Sequence, residues 1–342
     1  MVFSAPGLAR TDMTKASDKD TSHWDDYWRH GFLTSCADAF DGNYQGKLRQ
    51  VWEEFFRSAK GNATILDIGT GNGAIALIAS RISSELQRGF RVHAIDQAEI
   101  DPPAMVKANA DGLAAIRFHA KTPAEACGLP DNSVDMVSGQ YALEYTPLAE
   151  TIAELARVCA PGARLLFVMH HAGSVVLETA AEELRLGELL ENSGFFDHAA
   201  DLLRRMSKVP AAQAHLLSKD PATEESREQL NRSASELSSL ASQTPHPQIL
   251  HNALKSVSDC FRQQRALGPE VLPLLAQYRR QLEANLARLH DLQNAAVSER
   301  QGKELIALFK TQGFLTEPLV DIYHEQELLA GRILRASLPA SA

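Results

Sequence analysis

Thr64-Ile65-Leu66-Asp67-Ile68-Gly69-Thr70-Gly71-Asn72-Gly73-Ala74-Ile75-Ala76-Leu77, residues 64 to 77, is the stretch on which the fold turns. An apolar run of strand character carries a carboxylate near its end, three glycines follow at alternate positions, and an apolar helical pattern starts at Ala74. Glycine removes side chains where a ligand must approach the backbone, and the first turn of a helix offers unpaired N–H groups beside them. Strand, glycine turn and helix in this order open a doubly wound α/β sheet. Such sheets bind ligands at the carboxyl ends of their strands, where Asp67 stands.

Gly69, Gly71 and Ala74 also satisfy the relaxed dinucleotide pattern G-x-G-x-x-G/A. Asp67, two residues before the first glycine, separates the two cofactor classes. A carboxylate there faces the pyrophosphate of NAD unfavourably and suits a ligand that carries an ammonium and a sulfonium. Leu66-Asp67-Ile68-Gly69-Thr70-Gly71-Asn72-Gly73 resembles the first motif of class I S-adenosylmethionine-dependent methyltransferases. The resemblance implies an α/β, Rossmann-like seven-stranded sheet with helices on both faces, and a donor that leaves as S-adenosylhomocysteine.

Downstream segments extend the pattern. A helix over about 74–87 leads to the strand Arg91-Val92-His93-Ala94-Ile95-Asp96, the spacing of one βαβ step. The resemblance gives Asp96 the ribose hydroxyls and sets Gln97 near the adenine. Ala115 to His119 reads as a short third strand. The acid that the family commonly places beyond it is missing from Ala120-Lys121-Thr122-Pro123-Ala124-Glu125, so Thr122 or the nearby backbone takes that contact. Residues 129–138 resemble the turn into a fourth strand that carries Asp135, and Gly139-Gln140-Tyr141-Ala142-Leu143-Glu144-Tyr145 falls at its carboxyl end. Gln140 is therefore a cofactor contact candidate. A helix over 148–159, the turn Ala160-Pro161-Gly162 and a strand over 164–169 complete the fifth step. Residues 303–312 read as a helix stopped by Gly313, followed by strands over 314–324 and 328–337, which the resemblance makes an antiparallel edge hairpin. The resemblance covers 61–172 well and 303–337 loosely.

The chain has 342 residues, of which 44% are hydrophobic and 23% charged, and a formal net charge of −9. The balance is that of a globular protein, and the negative charge opposes nonspecific attraction to nucleic acid. No apolar run is long enough to span a bilayer and no signal-peptide core opens the chain, so a cytoplasmic location is expected. Cys36, Cys127, Cys159 and Cys260 are scattered without metal-binding spacing, and neighbouring His170 and His171 on a strand point to opposite faces; no metal is expected. Asp101-Pro102-Pro103-Ala104 superficially resembles the D-P-P-Y motif of nucleic-acid amino-methylating enzymes, but it follows the second strand rather than the fourth and reads as a helix start.

The chain divides into a flexible 1–20, an aromatic and helical cap over 21–60, the cofactor-binding core over 61–172, a helical insertion over 173–301 after the fifth strand, and a closing helix and hairpin over 302–342. Within the insertion, helical spacing covers 174–191, 195–206, 223–241, 248–266 and 270–297, with Ser233 to Ser242 expected to be a loose or surface segment. Helices inserted there emerge on the ligand side and can cover a substrate, form a homodimer interface, or do both. In the cap, Trp24-Asp25-Asp26-Tyr27-Trp28 and Phe40-Asp41-Gly42-Asn43-Tyr44 precede an amphipathic helix over 45–58. Tyr27, Trp28 and Tyr44 either anchor the core or touch the ligands.

The expected reaction is in-line methyl transfer to an oxygen or nitrogen of a small organic molecule, an acceptor that suits a closed pocket. The competing readings are a protein side chain as acceptor and a non-catalytic cofactor-binding protein whose insertion recruits a partner. A hydroxyl acceptor needs a base, and Glu144, Tyr145, His170 and His171, with Tyr141, stand at strand ends near the expected donor.

Overall fold

The computed structural model describes residues 21–35, 42–108, 110–324 and 328–340. The expected flexible N-terminus over 1–20, Cys36, Phe40 and Asp41 lie outside the described residues. The cap holds helices α1 (Ser22–Arg29) and α2 (Gly46–Arg57). Leu48, Trp52 and Phe56 recur every fourth residue along α2 and are buried in one stripe, as an amphipathic helix requires.

The core runs β1 (Thr64–Ile68), α3 (Ala74–Glu85), β2 (Arg91–Ile95), α4 (Pro102–Met105), α5 (Ala110–Ala114), β3 (Arg117–His119), β4 (Val134–Gln140), α6 (Leu148–Val158) and β5 (Cys159–Met169). Pro102 opens α4, where a missing N–H costs nothing. The Pro161-Gly162 turn lies inside β5: Cys159 pairs with Val134 and Arg164 with Met136, so the residues between loop out of the ladder.

After β5 come the insertion helices α7 (Val175–Asn192), α8 (Phe195–Ser207), α9 (Pro221–Ser242), α10 (Gln248–Leu267) and α11 (Val271–Ala295). The chain closes with α12 (Glu299–Thr311), β6 (Leu315–Thr316), β7 (Val320–His324) and β8 (Leu328–Ser337).

The strands form one sheet in the order β3-β2-β1-β4-β5-β8-β6, with β7 also on β8. β1 to β5 are parallel to their neighbours, whereas β8 runs antiparallel to β5, β6 and β7. The sheet has eight strands rather than the expected seven, because the strand expected over 314–324 is broken around Pro318. Proline has no N–H for the ladder, so Leu315–Thr316 and Val320–His324 pair β8 as separate pieces.

Strand alternation builds the two faces. Ile65, Met136, Leu166 and Val168 pack with Trp52, Phe56 and Leu77 on one side. Leu66, Ile68, Val137, Leu165 and Phe167 pack with Leu155 and Phe309 on the other. Strand order reverses between β1 and β4, which opens a crevice at their carboxyl ends.

The insertion has an apolar core of its own, built from residues such as Leu190, Phe195, Leu203, Leu230, Leu250 and Val257. Ser233 to Ser242 lies within α9 with Ser235, Glu236, Ser238, Ser239 and Ser242 exposed, a surface segment rather than a loose one. Leu230, Ser233, Leu237 and Ala241 form its buried stripe, and the Ser233 hydroxyl meets His198 Nδ1 at 2.8 Å. The two ends of the insertion are joined at its root: Val297 N–H donates to the His170 carbonyl (2.8 Å) and Ala172 N–H to the Val297 carbonyl (3.1 Å).

Candidate active site

A cavity of about 800 Å³ opens at the crevice between β1 and β4, within the size range of small-molecule sites. Its walls come from the sheet, the cap and the insertion: Asp67, Asp96 and Gln140 from strand ends, Trp24 and Trp28 from α1, and Arg288 from α11 are among them. One space thus touches all three parts of the chain.

Asp67 is almost fully buried and accepts hydrogen bonds from the Ser138 hydroxyl (2.7 Å) and the Thr70 hydroxyl (2.6 Å). Burial pushes its carboxyl up to about 6, and those two hydroxyls pull only part of the way back. No ion pair joins it to a cationic side chain among the described residues. Asp96 accepts from the Gly71 N–H (2.7 Å) and the Ala98 N–H (2.9 Å), which ties the end of β2 to the glycine turn. Burial raises it to about 6 as well. Each carboxylate oxygen has a second lone pair to offer a ligand.

The glycine turn serves the fold as well as the cavity. Gly69 and Thr70 line the space, and Gly71 holds a left-handed φ of +51° with the Trp28 ring where a Cβ would be. Gly73 faces Phe118 and Leu113 instead. Asn72 is fully buried and turned away from the cavity; its Nδ2 donates to the carbonyls of Trp28 (2.9 Å) and Phe32 (2.7 Å), locking the cap onto the turn. Gln97 is exposed at the cavity lip, and Thr122 lines it while its N–H donates to the Asp96 carbonyl (2.8 Å). Asp135 lies at the other end of β4, where it pairs with Lys60 (2.7 Å).

Beyond β4 the polar groups gather. Gln140 Oε1 accepts from the buried Trp52 indole (2.5 Å), and its Nε2 has no protein partner. Glu144 Oε1 accepts from the His170 N–H (2.7 Å), Oε2 is buried without a partner, and desolvation pushes this carboxyl up to about 8. His170 is buried with Nδ1 unpartnered, and its ring stacks on Tyr141 at 4.0 Å. Burial lowers it to about 3, so it is neutral near pH 7. Tyr141 adopts φ +53°, a strained value for a tyrosine, and its hydroxyl donates to the Ala330 carbonyl (3.0 Å). Tyr145 stands edge-on to both His170 and Trp24. His171 lies outside the cavity lining; its Nδ1 accepts from the Gly173 N–H (3.1 Å) and its Nε2 is 3.6 Å from Glu299. Both histidines follow the last residue of β5, and of the two only His170 lines the cavity.

Several contributors escape motif reading. Ser138 is found only through the β1–β4 register, which sets it opposite Asp67. Asn285, Arg288, Leu289 and Leu292 line the cavity from α11, and their three- and four-residue spacing is the signal that they share a face. No group of three or more His, Cys, Asp or Glu among the described residues could hold a metal ion, and no described helix is long and apolar enough to cross a membrane.

The family model for a methyltransferase domain matches residues 66–167, from β1 through β5. Residues 66–167 carry a methyltransferase domain. Among solved structures, the methyltransferase domain is similar to YcgJ from Bacillus subtilis, at 26% identity over 41% of this chain and 58% of that one, with a TM-score of 0.31. It is similar to a SAM-dependent methyltransferase from Aquifex aeolicus, at 23% identity over 43% and 73%, with a TM-score of 0.34. It is also similar to geranyl diphosphate C-methyltransferase from Streptomyces coelicolor, at 18% identity over 35% and 43%, with a TM-score of 0.30. The chain spans about half the length of the first solved structures it matches, 44% and 58%. No curated protein matches its sequence.

Proposed function

We propose that this protein transfers the methyl group of S-adenosylmethionine to an oxygen or nitrogen of a small organic molecule enclosed between the sheet, α1 and α11. The observation that carries the reading is the single cavity that joins the carboxylates of Asp67 and Asp96 to the walls of the insertion.

The residues suit a cationic ligand. Asp67 and Asp96 are desolvated carboxylates with no cationic side chain paired to them among the described residues, and both are held above the usual carboxylate range. A ligand that brings positive charge relieves that cost, whereas a pyrophosphate adds to it. Asp67 would face the amino acid end of S-adenosylmethionine, Asp96 the ribose, and Gln97 and Thr122 the adenine edge.

When bound, S-adenosylmethionine supplies a methyl carbon made electrophilic by its positive sulfur; the acceptor's electron pair forms the new bond to that carbon while the C–S pair stays on sulfur. The chain's own task is positioning and proton transfer, and positioning alone supplies roughly 7–11 kcal/mol in favourable systems. The cap and the insertion wall the cavity and limit the access of water to it. Glu144 Oε2 takes the acceptor's proton: it is buried, unpartnered and matched to a neutral or slightly basic medium. Neutral His170 orients the acceptor through Nδ1 and holds Glu144 through its backbone N–H.

The test is a metabolite screen that follows S-adenosylhomocysteine release, then a structure with the acceptor found. The expected position is against Glu144 and α11. An acceptor bound far from residues 173–301 would overturn the insertion's role as a cover over the substrate, and turnover only with a protein substrate would overturn the small-molecule assignment.

A further inference from the structure

Arg288 is the one lysine or arginine that lines the cavity among the described residues. Its guanidinium sits 4.5 Å from the centre of the Tyr27 ring and donates to Asn285 Oδ1 (2.8 Å). No carboxylate pairs with it among the described residues. Asp291, three residues on along α11, is instead taken by His23 Nε2 (2.8 Å) and the Trp24 indole (3.1 Å). A ring face compensates a buried cation only in part, and the guanidinium keeps donors to spare in a planar fork that matches a carboxylate or phosphate. Val176, Leu289 and Leu292 add apolar surface to the same cavity, beside the polar Glu183, Asp291 and Asn294.

We propose that Arg288 is a specificity-determining residue that selects an acceptor with an apolar body and an anionic head, a carboxylate or a phosphate. This inference rests on the methyltransferase reading for the word acceptor, but the anion site itself does not require it. Desolvation lowers the Arg288 pKa, as an uncompensated cation in a partly dry site requires. Asp67 and Asp96 line the cavity from the strand ends and Arg288 from α11, where Asp291 and, from α7, Glu183 also line it.

The test uses the full chain, with and without saturating S-adenosylhomocysteine, titrated with benzoate, phenyl phosphate and neutral benzamide. Wild type is expected to bind benzoate or phenyl phosphate roughly ten-fold or more tighter than benzamide, the range of a charge-assisted hydrogen bond. The stronger of the two identifies the head group. Arg288→Gln is expected to erase the difference while leaving benzamide binding in place, and Arg288→Lys to keep part of it, because lysine preserves charge without the planar fork. Equal binding of benzoate and benzamide, no binding of either anion, or a preference that survives Arg288→Gln overturns the proposal. Loss of benzamide binding together with benzoate binding in Arg288→Gln also overturns it, since that result assigns Arg288 to holding α1 through Tyr27. If S-adenosylhomocysteine gives no heat, the methyltransferase reading fails separately, and the anion comparison in its absence still decides the role of Arg288.

Discussion

Asp67→Asn separates the function of the β1 carboxylate from its structural role. In the free protein, burial moves this group from 3.8 to about 6, roughly two units, so holding it ionised at neutral pH costs about 3 kcal/mol. Asparagine mimics the neutral carboxyl, and the hydroxyls of Thr70 and Ser138 can rotate to serve an amide. The variant without ligand is therefore expected to gain about 1–3 kcal/mol above pH 6. At roughly 2.1 cal/mol/K of unfolding entropy per residue, that raises the melting temperature by about 1–4 °C. The sign follows from the raised pKa: the folded state holds the proton more tightly than the unfolded chain, so the wild-type penalty grows from pH 4 to 6 and is complete above that. The advantage of the variant must shrink to nothing as pH falls below 4. With S-adenosylmethionine the order reverses, because loss of the carboxylate removes a charge-assisted contact and weakens binding by roughly 10- to 150-fold. Thermal unfolding at several pH values and calorimetry read both effects. A variant that is less stable at every pH and binds the cofactor unchanged refutes the reasoning and makes Asp67 a structural hub.

Three further outcomes are expected. Asn72→Ala leaves the carbonyls of Trp28 and Phe32 without their donor, costs about 1–3 kcal/mol, and speeds proteolysis within residues 21–35; an unchanged cleavage rate contradicts the lock between the cap and the glycine turn. Cofactor affinity falls as pH drops below 6, by about ten-fold per carboxylate at pH 5, because Asp67 must lose its proton to receive the ammonium and Asp96 to accept from the ribose hydroxyls; a flat calorimetric profile from pH 5 to 8 contradicts this. With an acceptor in hand, the wild-type rate rises with pH through about 8 as Glu144 ionises. Glu144→Gln lowers kcat by roughly 10²- to 10⁴-fold and removes that limb, so a retained limb assigns the base elsewhere.

The core was legible because its physics is local. A strand, a carboxylate, three glycines and a helix within 64–77 set the first βαβ step, and Asp96 and Gln140 follow at strand ends. The Pro318 break was visible as a residue type but not as a consequence, since whether one strand or two short ones form depends on the β8 partner. Ser233 to Ser242 left the choice between loose and surface open: its exposed serines fit a surface segment, and it is ordered because its leucines find the partners that bury them. His170 and His171 could not be assigned from sequence, because both follow the end of β5, where the chain bonds to the distant Val297. Arg288, 221 positions from Asp67 in the sequence, is brought to the cavity by the packing of α11 on α1, which no local pattern contains.

Calorimetric titration of the purified chain with S-adenosylmethionine, with NAD as the control, bears most directly on the central claim. The account predicts one S-adenosylmethionine site per chain, weakened by Asp96→Ala, and no heat with NAD. Tight NAD binding with no response to S-adenosylmethionine would contradict it.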